Sequence, residues 1–369
     1  MQNPLISVVM VVCNADRFLA EAIESILSQT FSEFEFIIVD FGSTDKSRSI
    51  ISGSAARDSR VKLHTISNCA LAEARNAGCL LAQGRYIAIM DADDVSVPER
   101  LQWEFAFMEE HPEFGLLGGA TDWVDATGRS LRIDHLPTGD HEIRAALESC
   151  CPFCQPTVLM RREAFALVGG YRAVFAQAED YDLWLRIAEH FKCANLKQVV
   201  LKYRIHPYQI SIRKRAQQTL CVLAAQASAS SRRKGIPDPL DSVKEITPAV
   251  LAGLGVSEVK QQTSAASQYL CWIRTMYAAG EYPVALKAAI EVLQFPDWQH
   301  MQRWQIADLR LIAARLYWKQ GRFARSLLAA GHAFVTRPMM LGRPVKLLLR
   351  WLQLGTAREE VGAVQYGND

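Results

Sequence analysis

The chain lacks any apolar run long enough to cross a bilayer. Val8 to Val12 shows the length of run it has instead, whereas a spanning helix needs about 20 residues. The expectation is a soluble or peripheral protein. Met1-Gln2-Asn3-Pro4 offers no positive stretch ahead of a long apolar one, so no signal peptide is expected. An excess of one charge is missing too: 41 Lys and Arg face 39 Asp and Glu, a net charge of +2. Without a long basic tract, no nucleic-acid partner is expected. Nor is there a disulfide framework to read. The nine cysteines are an odd number, which points to reduced thiols in the cytosol. Cys150, Cys151 and Cys154 cluster, but no second pair follows at zinc-ligand spacing. They read as small hydrophobes.

What the chain does have is a hydrophobic half, 50% of 369 residues, enough for a sizeable core and, by length, two domains. Strand and helix patterns alternate in the first part. Ile6–Cys13, Phe34–Asp40, Val61–Ile66 and Tyr86–Met90 are apolar runs. Between them Arg17–Gln29, Asp45–Ile51 and Leu71–Ala82 have helical character, and Pro98 opens a further helix. This rhythm predicts an α/β protein with a mainly parallel sheet and helices on both faces. From Gly115 to Ser211 the pattern is mixed, with strands over Leu116–Val124, Thr157–Met160 and Val199–Ile205 and a helix over Tyr181–His190. Residues 228–240 are rich in Ser, Arg, Gly and Pro and read as a linker. Beyond them the chain is helical. Two stretches, around Gly280 and Gly321, each carry helix, glycine turn, helix and a proline stop. They weakly resemble tetratricopeptide-type hairpins, which stack to bury shared faces. A basic, apolar stretch from Arg337 to Trp351 has the composition of a surface-lying helix on an anionic membrane or of a terminal packing helix.

The chemistry-bearing residues gather at predicted strand ends. Asp91-Ala92-Asp93-Asp94 directly follows a buried strand, where open α/β sheets bind ligands. Carboxylates one residue apart can share a hard cation that also takes phosphate oxygens. Asp40 ends another strand, as a ligand contact or as an Asx turn into Gly42 and Ser43. Arg75 has the planar fork that suits phosphate. Glu179 and Asp180 open a helix, where they complement its dipole or serve as a base. His206 follows the last strand of this region.

Ser7–Asn14, Ile38–Asp45, Ala74–Gly78, Asp91–Asp94 and Glu179–Trp184 occur in this order. Together they resemble the family 2 glycosyltransferases over residues 5–212. The resemblance implies a GT-A type, Rossmann-like catalytic domain over 1–227, followed by the 228–240 linker and an all-helical domain over 241–369. It implies inverting transfer of a sugar from a nucleotide-sugar donor, most often a UDP-sugar, with Mn or Mg as divalent metal. Asp93 and Asp91 would hold the metal. Asp40, Phe41, Arg75, Asp91 and His206 would meet the donor, and Asp180, supported by Glu179, would be the acceptor's base. Phe41 stands where the family pattern has a second acid, and Cys13 stands where small hydroxyl or aromatic residues are common. Both changes lie at the expected base pocket. The implied acceptor is a glycan, a lipid-linked sugar or a protein, in cell-surface polysaccharide or glycoconjugate synthesis, at a cytoplasmic site that includes the inner membrane face. A nucleotidyltransferase would want a glycine-rich loop after the first strand, and Val12–Asp16 has none. A degenerate, binding-only protein working through its helices is the remaining alternative. The retained Asp93 and Asp180 argue against it.

Overall fold

A computed structural model describes residues 4–207, 215–294 and 302–337. The expected first half is present. Strands β1 (Ile6–Val12), β2 (Phe34–Asp40), β3 (Val61–Thr65) and β4 (Tyr86–Met90) alternate with helices α1 (Asp16–Leu27), α2 (Ser47–Arg57) and α3 (Leu71–Leu81). They pair in parallel in the order β3-β2-β1-β4. Side chains alternate between the faces. Val8, Met10, Phe36, Ile38, Ala88 and Met90 join one core cluster, and Val9, Ile37, Val39, Ile87 and Ile89 join the other. A strand buried on both faces reads as a continuous apolar run, which is why these strands are visible in the sequence. Gly78 lets α3 come down onto the sheet: a Cβ there would lie 2.6 Å from Val9 Cγ1 and 3.2 Å from Val39 Cγ2.

After β4 the sheet is mixed rather than mainly parallel. The chain continues through β5 (Val95–Ser96), α4 (Arg100–Glu110), β6 (Phe114–Val124), β7 (Ser130–Asp134), α5 (Asp140–Leu147), β8 (Leu159–Arg161), α6 (Arg162–Leu167), α7 (Glu179–Ala188) and β9 (Lys192–Arg204). β8 lies antiparallel between β4 and β6, β7 folds back on β6 as a hairpin, and β5 runs antiparallel to β9. Only β6 and β9 are parallel here. Hairpins and short edge strands do not impose the helix-for-every-strand rhythm that parallel crossovers require.

Contacts divide the chain into two compact units, residues 1–261 and 262–369. The 228–240 stretch belongs to the first. α8 (Arg215–Arg233) runs through its beginning, and α9 (Pro248–Gly253) follows it. Asp238 then accepts hydrogen bonds from Arg172, Arg232 and Ser228. Cys221, Ala224, Leu240, Ile246 and Leu251 complete the core cluster on the α3 and α7 face. The composition of this stretch is that of a linker, but its charges are placed to fasten it.

The second unit is helical: most of α10 (Glu258–Ala278), then α11 (Tyr282–Gln294), α12 (Arg303–Lys319) and α13 (Phe323–Thr336). Gly280 and Gly321 take positive φ at the turns after α10 and α12, as helix stops require. Ser326 Oγ donates to Ala314 O at 2.8 Å, holding α13 on α12. Among the described residues no helix is long and apolar enough to cross a membrane. The basic stretch past Arg337 lies outside the described residues.

Candidate active site

The parallel register brings the carboxyl ends of β1, β2 and β4 to one edge: Val12 opposite Asp40, and Met90 opposite Met10. Asp91 to Asp94 leave this edge directly. Behind them Arg100, fully buried, donates from Nη2 to Ile89 O and from Nε to Glu104. This pair fixes the end of β4, and it was readable only as an i,i+4 couple.

The acids have different surroundings. Asp91 and Asp93 are about one-quarter exposed (27% and 28%). Burial, more than the charges of Asp93 and Glu179, pushes Asp91 up to about 6, against the pull of Arg75. Asp93 Oδ2 meets His206 Nε2 at 2.9 Å, and the His206 ring packs on Phe18. Asp94 is buried. One oxygen accepts from Arg204 N–H at 2.8 Å, and the other has no hydrogen-bond partner among the described residues. Burial and the Asp93 and Asp91 charges raise Asp94 well above the carboxylate range. Arg204 also donates to Asp93 O and to Glu21 on α1, so β9 and α1 hold the loop from outside.

α3 supplies Arg75, which bridges two acids distant in sequence. Its Nη1 donates to Glu179 Oε1, and its Nη2 lies 3.7 Å from Asp91 Oδ1. Asn76, the next residue, clasps the Tyr171 backbone in both directions at 2.8 Å. Gly170 precedes that clasp at φ +73°, where a Cβ would meet Asn76 Oδ1 at 2.6 Å. Thus the Gly169-Gly170-Tyr171 turn is welded to α3, a role the sequence does not reveal. Glu179 is committed to Arg75 and almost fully buried. Among the described residues, Asp180 accepts only from the Tyr181 N–H, at 2.7 Å. Burial first, then the Glu179 charge, raises it to about 6 despite Arg75. Trp184 is core, packed near Phe153 and Tyr171.

At the β2 end, Asp40 is fully buried and both its oxygens are engaged, by Ser43 N–H and by Arg48 Nε, each at 2.9 Å. Burial opposes ionisation, but these bonds and the Arg48 charge hold it below the ordinary range. Phe41 is partly buried against the core beside it. The structure therefore assembles Asp91, Asp93, His206, Arg75, Glu179 and Asp180 around one edge. Asp40 and Phe41 lie at the end of the neighbouring strand β2.

Comparison with known proteins gives the family. The Glycosyl transferase family 2 profile matches residues 7–169. The Bacillus subtilis protein EpsE is 39% identical over 208 residues, 55% of this chain and 73% of that one. The O-antigen biosynthesis glycosyltransferase WbnJ of Escherichia coli is 32% identical over 206 residues, 55% of this chain and 80% of that one. This chain belongs to glycosyl transferase family 2. It is a glycosyltransferase with an α/β catalytic region of GT-A type. The fold matches that of Pyrobaculum calidifontis PcManGT, solved with GDP-Man and Mn2+, at a TM-score of 0.50 and 18% identity, covering 87% of this chain and 89% of that one. S. aureus TarS 1-349, solved with UDP-GlcNAc, also gives 0.50, at 16% identity over 88% and 90%. In this family 2 chain the profile span includes Asp40, Arg75 and the Asp91–Asp94 cluster. Asp180 and His206 lie beyond it and reach the site through α7 and the end of β9.

Proposed function

We propose that this family 2 enzyme is an inverting glycosyltransferase that moves a sugar from a nucleotide sugar to a hydroxyl of a surface glycan or glycan precursor. The relatives support that context by name: one serves O-antigen biosynthesis and another, from Erwinia amylovora, amylovoran biosynthesis. The observation that carries the reading is the Asp91–Arg75–Glu179 bridge. It links α7, which carries Asp180, to the acids that follow β4, and Asp180 is an acid with a raised pKa whose carboxylate is not tied up in an ion pair among the described residues.

Inverting transfer needs a carboxylate to take the acceptor's proton as its oxygen attacks. Asp180 suits this role, because a base near the working pH combines ionisation with proton affinity, and Glu179 is already spent on Arg75. Arg75 ties the donor end of the site to the base end. It keeps its charge throughout, since the flanking acids raise its pKa.

The residues present fit a divalent cation. Among the described residues no three His, Cys, Asp or Glu side chains form a ready cage. Asp93 is partly accessible and paired with the buried His206, Asp91 is adjacent, and Asp94 keeps an oxygen without a partner among the described residues. Asp93, with Asp91 and His206, would hold Mn or Mg, and donor phosphates would complete the shell. When bound, that cation supplies charge stabilisation for the departing diphosphate.

Nucleotide release from a panel of nucleotide sugars tests the reading. Release from one donor should require Mn or Mg, stop with chelator, and fall at least a hundredfold in Asp93→Ala. Failure of the folded chain to bind or release any nucleotide would return it to a binding-only protein.

A further inference from the structure

The strand order separates the site into two sides. The β1 and β2 ends lie on one side of the acids, and β6, β7, β9 and β5 on the other. Asp94 leads straight into β5, which pairs with β9 at Val95 and Lys202. Tyr203 is the next residue of β9. Trp123 on β6 is in register with Tyr203 on β9 and with Arg132 on β7. Residues directly opposite one another stand on the same face of a sheet. A row of side chains therefore runs from the edge strand to the acid cluster.

We propose that this row, Arg132–Trp123–Tyr203, is an acceptor subsite on which a pyranose ring lies with its C–H face against Trp123. The inference rests on the glycosyl-transfer reading above. Sugar rings carry an apolar face of axial C–H groups, and aromatic rings present a matching electron-rich, apolar surface. The Trp123 and Tyr203 rings are 5.4 Å apart, tilted by 50°. Trp123 Nε1 donates to Thr121 Oγ1 at 3.1 Å, which fixes the indole's orientation. Both rings are half-buried, in contrast to the fully buried Trp184.

Arg132 lies over Trp123, its guanidinium carbon 3.9 Å from the ring centre. Its Nε has lost water yet has no hydrogen-bond partner among the described residues, and its ion pair with Asp134 is long, at 3.8 Å. A long side chain held this loosely can swing off the ring, and its orphaned N–H can then take a sugar hydroxyl. Tyr203 is followed by Arg204, whose N–H donates to Asp94 Oδ1 at 2.8 Å, so this strand touches the acid loop directly. A sugar on Trp123 is thus adjacent to the acids that handle the donor.

The test is saturation-transfer NMR on the full-length chain with methyl pyranosides of glucose, galactose, mannose and their N-acetylamino forms. Transfer is expected to at least one pyranoside, strongest at its ring C–H protons. Trp123→Ala should weaken its binding about tenfold. Trp123→Leu, which keeps apolar bulk, should weaken it similarly, and Trp123→Tyr should restore most of it. A residue that only braces the hairpin would shift the melting temperature and leave pyranoside binding alone. No transfer from the native chain to any pyranoside, or native affinity in either folded variant lacking the ring, overturns the subsite. Nucleotide release by the native chain separates the two readings. Nucleotide release or binding without pyranoside binding sinks the subsite alone, and a folded chain that neither binds nor releases any nucleotide sinks both.

Discussion

At the scale of single residues, the site works by giving chemically identical side chains different surroundings. Asp40 is bonded twice and held ionised, Asp94 is buried beside two like charges with one oxygen unpartnered among the described residues, and Asp180 is raised to about 6. The proposed role of Asp180 as base, with that pKa, predicts a pH profile. Below about 6 Asp180 is protonated and cannot accept, so kcat/KM should fall about tenfold per unit as pH drops, and it should level off above. Asp180→Asn should cut transfer by about 10²- to 10⁴-fold and abolish this acid limb while nucleotide binding persists. Calorimetry with the nucleoside diphosphate and a pH–rate series check both halves. Much of this was legible: an acid pair after an apolar strand and another opening a helix are local signals. The Arg48 grip on Asp40 was not, because a helix-start arginine has no sequence pattern pointing back to the preceding strand. Nor was the pairing of Arg75 with Glu179, which spans over a hundred positions and exists only once α3 and α7 share a face.

At the scale of elements, β1, β2 and β4 were visible because both their faces are buried, and α3 because it repeats small residues toward the sheet. The closeness of α3 is the sensitive point, since Arg75 and Asn76 both ride on it. Gly78→Ala places a methyl 2.6 Å from Val9 Cγ1. It should cost about 1–3 kcal/mol of stability, read as a lowered denaturation midpoint. It should also lower kcat by moving Arg75 relative to Asp91 and Glu179. Gly53, on α2, would meet nothing within 4 Å, and Gly53→Ala should leave both quantities within error or raise stability slightly. The second half of the sheet was read less well. The strand expected over Thr157–Met160 is β8, set slightly later at Leu159–Arg161, but β5 has two residues, too few for a periodicity to register, and the antiparallel partners of both are set by tertiary packing.

At the scale of the whole chain, the decisive feature is where the first unit ends. Asp182, on the same helix as Asp180, is fully buried and accepts from Arg172 and Arg186. Arg172 in turn reaches Asp238, which also binds Arg232 and Ser228. A fragment of residues 1–261 should therefore fold cooperatively and release nucleotide, whereas residues 1–227 should lose the clasp, expose the core around Cys221 and aggregate. Thermal melts and nucleotide release on the two fragments check this. Composition could not reveal the boundary, because a Ser-, Arg- and Pro-rich stretch looks alike whether it hangs free or is buckled down by ion pairs. The Asp182–Arg172–Asp238 buckle also has a consequence for the order of events in the cell. A polypeptide emerging from the ribosome displays the strands of its proposed donor site early, but the helix bearing the proposed base is fastened only after residue 238 has been synthesised. Nascent chains should bind donor before they can spend it, so competence for transfer is among the last properties this catalytic unit acquires.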